Sequence, residues 1–188
     1  MTLNTNSTIV ITGAKNSGKT NLAATYLDPV KSEMDKVVYI DNENSANRFR
    51  TGLHEMGMDF GKYISTAERF KNLPGEEDLL AKIAKGEMPW VGKTQQGTFI
   101  DYYKYLLGEI NELPKGKYSV LVVDTAEKLE SGMAAYVDAN KQKFGITNTA
   151  YGKLWTEGVY PLYENLIESI YERGISVVIL TFHLKNVW

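Results

Sequence analysis

Short, continuous apolar runs alternate along this chain with longer stretches in which apolar residues recur every three or four positions. Thr8 to Thr12, Lys36 to Ile40, Ser119 to Val123 and Ser176 to Thr181 are β-branched runs of strand length, bounded by turn-forming or charged residues. Runs of this kind suit strands of a parallel sheet covered on both faces. Phe99, Tyr102, Tyr103, Leu106, Leu107 and Ile110 form one helical stripe. Val159, Leu162, Tyr163, Leu166, Ile167, Ile170 and Tyr171 form another. Thr98 with Asp101 resembles a capping box ahead of the first, and Gly174 after Arg173 is a stop for the second. Strands alternating with helices predict an α/β fold, a mainly parallel sheet flanked by helices.

Residues 72–97 break this rhythm. Pro74-Gly75, Gly86, Pro89 and Gly92 interrupt a short helical piece around Leu79 to Ala84, which predicts a surface insertion. No repeat or linker divides the remainder, so residues 1–188 read as a single domain. The last apolar run ends close to Trp188 with no helix after it, the pattern of a chain cut short at its C-terminal end.

Composition narrows the function classes. A chain of 188 residues with 43% hydrophobic and 23% charged residues can bury a full core without staples. The absence of cysteine removes disulfides and thiolate metal sites and fits a reducing compartment. Met1 to Ser7 are polar, and no apolar run reaches membrane-spanning length, so the expectation is a soluble, cytoplasmic protein with no membrane partner. A formal net charge of −2 gives no bulk attraction to nucleic acid, so any such binding has to come from a local patch.

The most specific pattern is Gly13-Ala14-Lys15-Asn16-Ser17-Gly18-Lys19-Thr20, which follows a strand run and precedes the helix-compatible Asn21 to Leu27. In that context Gly-x-x-x-x-Gly-Lys-Thr is a phosphate-binding loop. Glycines let the backbone approach the phosphates, and successive N–H groups with the helix N-terminus accept negative charge. Lys19 reaches the β and γ oxygens, and Thr20 holds Mg²⁺ through its hydroxyl. Residues 13–21, Asn21 included, form the expected ATP contact. Lys15 either adds charge to that contact or faces solvent. The alternative to the whole reading is a glycine turn with a solvated lysine. Asp124, closing the run Val120 to Val123, is the expected second Mg²⁺ contact, through water; its alternative is a cap on a following helix that Thr125-Ala126-Glu127 could start.

The second strand ends in Ile40-Asp41-Asn42-Glu43, and ligands bind at the ends of parallel strands. Together, the loop 13–20, this strand end and Asp124 resemble the RecA-like ATPase core, most closely the short RecA-like annealing and recombination ATPases of bacteriophages. The resemblance runs from Thr8 to Lys185. It implies a catalytic glutamate at such a strand end, and Glu43, 24 positions after Lys19, matches it. The alternatives leave Asp41 as a turn or helix cap and Glu43 as a surface charge. The resemblance also implies a polar sensor after the last strand, where His183 stands, and a basic residue reaching a neighbouring subunit, where Lys185 stands. A strand-end histidine bonded to backbone and a solvated lysine are the plain readings of those two.

A DNA-contacting loop is implied after Asp124, and residues 140–153 fill the place. Lys141, Lys143 and Lys153 supply cations, Phe144 and Tyr151 supply rings, and Trp155 follows. The alternative is a surface loop whose aromatics pack on the next helix. The function so implied is an oligomeric Mg²⁺-dependent ATPase acting on single-stranded DNA, in the cytoplasm of a bacterium or phage-infected host, with Lys19, Glu43 and His183 as catalytic residues. Two alternatives carry no DNA activity. A small-molecule kinase needs arginines to clamp the transferred phosphoryl group and usually a lid; the arginines are only Arg48, Arg50, Arg69 and Arg173, with no arginine-rich lid segment. A nucleotide-controlled assembly module binds nucleotide without turnover, and its mark is slow hydrolysis with nucleotide-dependent oligomerisation. A GTPase switch fits poorly, since Asp124-Thr125-Ala126-Glu127 lacks the required glycine and no Asn-Lys-x-Asp motif occurs.

Overall fold

The computed structural model describes residues 6–14, 17–26, 33–67, 69–70, 99–146 and 151–183, the side chains of 24–26 and 151 excepted. Lys15, Asn16, the predicted insertion at 72–97, the Thr98 cap, residues 147–150 of the lysine-containing loop and Lys185 lie outside these residues. The chain falls into two compact units. Residues 1–69, 113–126 and 170–188 form the first, and residues 70–112 and 127–169 form the second.

The first unit is built on a five-stranded, all-parallel sheet of β1 (Ser7–Gly13), β2 (Val37–Asp41), β3 (Lys62–Ser65), β4 (Val120–Asp124) and β5 (Val177–His183), in the order β1-β5-β4-β2-β3. Helices α1 (Lys19–Tyr26) and α2 (Asn47–Glu55) follow β1 and β2, as parallel neighbours require a crossover rather than a tight turn. The α/β expectation is therefore met.

Three of the strands run on to polar residues that the apolar pattern leaves out. Asp41 pairs with Asp124 at the end of the β2–β4 ladder, and Gly13 pairs with His183 at the end of the β1–β5 ladder. Backbone pairing is indifferent to side-chain polarity, so the ladder continues past the last apolar residue. β3 is missed by the pattern because it is four residues long and begins and ends on Lys62 and Ser65. The expectation of cover on both faces holds for β2, buried throughout, and is corrected for β1, whose burial alternates. β1 is one of the two edge strands of the described sheet: Ile9 and Ile11 pack inward while Val10 stays 55% exposed.

One face of the sheet carries the core that positions the site. Tyr39, Val122 and Ile179 from three neighbouring strands pack with Ala23 of α1, Leu53 of α2, Met34 and Phe60. Tyr39 stacks on Phe60 with ring centroids 4.8 Å apart, and Phe49 of α2 tilts against the same ring. α2 has only Phe49 and Leu53 for an apolar stripe, an i,i+4 pair too sparse to declare a helix on its own. Asp41 compensates by accepting a hydrogen bond from the Ala46 N–H at 2.9 Å, capping α2 from the end of β2.

In the second unit α3 (Phe99–Asn111) packs against α4 (Glu127–Ala139), burying Tyr102, Leu106 and Ile110. A side chain at Gly132 would meet the Tyr103 Cβ at 2.9 Å, so glycine sets the closeness of that crossing. A 3₁₀ turn (Lys141–Phe144) follows, then α5 (Tyr151–Leu154), a π turn (Trp155–Val159) and α6 (Tyr160–Glu172), whose final residues return to the first unit. Gly158 lies against Val137, whose side chain a Cβ there would strike. Gly174, at φ +86°, ends α6 as the sequence pattern predicts. Among the described residues, no helix is long and apolar enough to cross a membrane.

Leu53 is fully buried and is the main anchor of α2 in this core. Truncation to alanine is expected to lower stability by about 2–5 kcal/mol in a urea titration, and a change under about 0.5 kcal/mol would show that α2 is held by its cap alone.

Candidate nucleotide-binding site

β1 delivers the chain to Gly13 at the C-terminal edge of the sheet, and α1 starts at Lys19. Between them the loop is shaped by its two motif glycines. Gly18 sits at φ +86°, a conformation that L side chains rarely adopt, and a Cβ on Gly13 would run into the Ser17 hydroxyl. The Ser17 N–H donates to Ala14 O at 3.1 Å and the Leu22 N–H to Gly18 O at 2.8 Å, closing the loop into the first helical turn. Lys19 is 7% exposed, and its ammonium group donates to the carbonyls of Gly13 and Ala14 at 3.1 and 2.9 Å. The helix N-terminus and the buried ammonium place positive potential at one spot.

Thr20, one residue into α1, donates its hydroxyl to Asp124 Oδ2 at 2.7 Å. Asp124 is fully buried and collects further hydroxyls: Ser45 at 2.9 Å and Tyr39 at 3.0 Å on Oδ2, and Thr181 at 2.5 Å on Oδ1. These donors come from β2, β5, α1 and the turn after β2. A buried carboxylate is tolerated when charge-assisted hydrogen bonds of this kind surround it. Burial first, and then the charge and hydrogen bond of Asp124, push the Tyr39 phenol far above its ordinary value, so its proton stays in place as a donor. The peptide joining Asp124 to Thr125 is cis.

Asp41 closes β2 but points its oxygens into the following turn. Oδ1 accepts the N–H groups of Glu43 (3.1 Å) and Ser45 (3.0 Å), and Oδ2 accepts Ala46 N–H (2.9 Å) and the Tyr63 hydroxyl (2.8 Å). Of the two strand-end carboxylates, Asp41 is therefore the cap. Burial first, then the Asp41 hydrogen bond, raises the Tyr63 phenol; the Arg50 guanidinium, 4.4 Å above its ring, pulls the other way. Asn44 takes φ +59° within this turn, a left-handed conformation that asparagine tolerates better than most residues.

That turn leaves the Glu43 side chain 39% exposed, with Oε2 3.8 Å from Nε2 of His183. His183 reaches it because β5 lies between β1 and β4 and ends beside Gly13. A cavity of about 440 Å³ opens here, lined by Ser17 to Asn21, Glu43, Ser45, Arg48 and His183 among others. Of the residues singled out in the sequence, Ser17, Gly18, Lys19, Thr20, Asn21, Glu43 and His183 share this cavity. Asp124 sits behind it, joined through Thr20, while Gly13 and Ala14 turn their carbonyls to Lys19. Tyr39, Ser45, Arg48 and Thr181 are additions that sequence reasoning did not supply. Tyr39 and Thr181 had a signal, a hydroxyl inside an otherwise apolar strand run; Ser45 and Arg48 had none.

The hydroxyl and carboxylate oxygens at Thr20, Ser45 and Asp124 are hard donors of the kind Mg²⁺ accepts. Among the described residues no group of three or more His, Asp or Glu could hold a metal by itself.

A glycine loop wrapping into a helix, with a buried acidic strand end bonded to its threonine, defines a P-loop nucleotide-binding domain. The chain belongs to the AAA domain family, whose model matches residues 5–188. Membership makes it a nucleotide-binding protein of the P-loop ATPase type. Comparison with curated proteins returns no match.

Because the Tyr39 and Tyr63 phenols are raised by folding, stability is unaffected by them below the unfolded tyrosine value near 10 and falls as pH rises above it, where the unfolded chain releases the protons first. Denaturation followed from about pH 8 to pH 11 should show this loss, and Tyr39→Phe should make the alkaline limb shallower. An identical limb in the variant would separate the Tyr39 proton from stability.

Proposed function

We propose that the protein is a Mg²⁺-dependent ATPase of the RecA-like kind, that it acts on single-stranded DNA in phage-type recombination or annealing, and that it does so as a homo-oligomer in the cytoplasm of a bacterial or phage-infected host. The observation that carries the ATPase reading is the convergence of Lys19, Thr20, Glu43 and His183 on one cavity, with Asp124 bonded directly behind Thr20.

In this reading residues 13–21 wrap the phosphates with backbone N–H groups, and Lys19 exchanges its loop carbonyls for phosphate oxygens. Thr20 through its hydroxyl and Asp124 through water would hold Mg²⁺, which when bound would neutralise charge on the phosphates. Among the described residues Glu43 is the only carboxylate on the cavity wall, and it orients water and accepts its proton. Attack on the terminal phosphate then breaks its bond to ADP. His183 faces Glu43 from the end of β5, which suits a residue that contacts the terminal phosphate and holds the glutamate in place.

In the stretch 140–153, Lys143 is exposed and unclaimed by an acidic side chain among the described residues, whereas Lys141 pairs with Asp138 and Lys153 with Glu157 at 3.7 Å. Phe144 packs edge-on against Tyr136, the packing alternative raised for it. Nearby, Trp155 and the 55% exposed Tyr160 line a second, shallower cavity that offers rings to a base. The two ion pairs favour, as a second reading, a nucleotide-controlled assembly module indifferent to DNA.

Lys19→Ala is expected to abolish ATP binding in calorimetry, and Glu43→Gln to keep binding and lose most turnover, about a hundredfold or more. Full turnover by Glu43→Gln would remove it from catalysis. Steady-state hydrolysis at low salt, with and without single-stranded DNA, separates the two readings. Stimulation that weakens in Lys143→Ala supports the DNA reading, and rates unchanged by DNA support the assembly module.

A further inference from the structure

Arg48 is the second residue of α2, and it lines the same cavity as Lys19, Thr20, Glu43 and His183. Its side chain is exposed, and among the described residues its guanidinium has no hydrogen-bond or ion-pair partner. The contrast with Arg50, on the same helix, is sharp. Arg50 is bonded to Asp59 at 3.5 Å and lies over the Tyr63 ring at 4.4 Å, so it is spent on structure. Arg173 donates to Leu113 O at 2.7 Å, and Arg69 is outside the cavity. The other cation on the wall, Lys19, is turned into its own loop.

The mounting of Arg48 is firm. Asp41 bonds the N–H groups of Glu43, Ser45 and Ala46, which fixes the turn and the first residues of α2 to the end of β2. Phe49 and Leu53 then hold the helix on the core. Glu43 and Arg48 are thus carried on one short, braced segment. An arginine that is uncommitted among the described residues, mounted on a braced turn and facing the same space as the glutamate has the chemistry of a clamp for a phosphoryl group, whose oxygens its planar fork can grip in pairs.

We propose that Arg48 binds the terminal phosphate of ATP from within the same chain, and so makes the site discriminate ATP from ADP. The proposal rests on the nucleotide reading of this cavity and adds to it the residue that recognises the third phosphate. Neutralising that charge beside Glu43 also lets the glutamate approach without two negative groups facing each other unscreened.

Isothermal calorimetry with Mg²⁺, using a non-hydrolysable ATP analogue and ADP in parallel, tests it. Arg48→Ala is expected to lose about ten- to a hundredfold in affinity for the analogue, the worth of a charged hydrogen-bonded contact, while its ADP affinity stays within about twofold. Arg48→Lys should recover part of the loss, since it restores charge without the fork. Melting temperatures equal to wild type would confirm that the exposed side chain was removed without harm to the fold. Equal losses for both nucleotides, or no loss for either, would overturn the proposal. With Lys19→Ala as a marker, failures separate. If wild type binds both nucleotides, Lys19→Ala binds neither and Arg48→Ala is unchanged, only the role of Arg48 falls. If wild type binds neither, the nucleotide reading falls and takes the proposal with it.

Discussion

A single buried carboxylate organises this molecule's site. Asp124 has no access to solvent and is held by hydroxyls of Thr20, Tyr39, Ser45 and Thr181. Each donor belongs to a different segment, so satisfying one charge fixes the start of α1, the middle of β2, the turn after β2 and the end of β5 in mutual register. Removing any hydroxyl leaves the charge less solvated, and a hydrogen bond to a charged group contributes about 1.5–3 kcal/mol. The phosphate loop, the sheet and the turn carrying Glu43 are therefore set by the same electrostatic requirement that keeps the core from excluding Asp124.

The neighbouring carboxylate works in the opposite direction. Asp41 is equally buried, but its partners are mainly backbone N–H groups of the turn and of α2, with the Tyr63 hydroxyl at 2.8 Å and the Ser45 hydroxyl at 3.5 Å as the side-chain donors. One strand-end aspartate collects side chains and the other builds backbone. Their pairing across the β2–β4 ladder puts the two networks side by side, with Ser45 touching both. Chemistry and scaffold meet at that serine.

Much of this was legible in the residues. The apolar runs of Val37 to Ile40 and Val120 to Val123 announce interior strands because both their faces are buried, and the loop 13–20 is a pattern whose spacing is dictated by phosphate geometry. β3 and α2 were not legible. Their apolar residues are too few to set a period, and they exist because Phe60, Tyr63, Phe49 and Leu53 join a core assembled by other segments. The hydroxyl shell of Asp124 was hidden for a related reason. A tyrosine or threonine inside a strand run reads as packing until the partner across the sheet is known, and the partner here is 57 to 85 residues away in the chain. Arg48 carries no local signal at all, since an exposed arginine on a short helix means nothing until the cavity beside it is seen.

The posture of Lys19 has a consequence for how the loop behaves before it meets a ligand. With its ammonium held by the Gly13 and Ala14 carbonyls, Lys19 is already bonded within the described part of the loop. Engagement of a phosphate by Lys19 is then an exchange of partners for that ammonium rather than the capture of a free cation. What the loop measures is the difference between two satisfied states, and that difference is smaller and more selective than the full strength of an ammonium–phosphate contact. A weakly charged anion leaves the lysine where it is; only a ligand with charge enough to draw it out converts the loop from storage to grip.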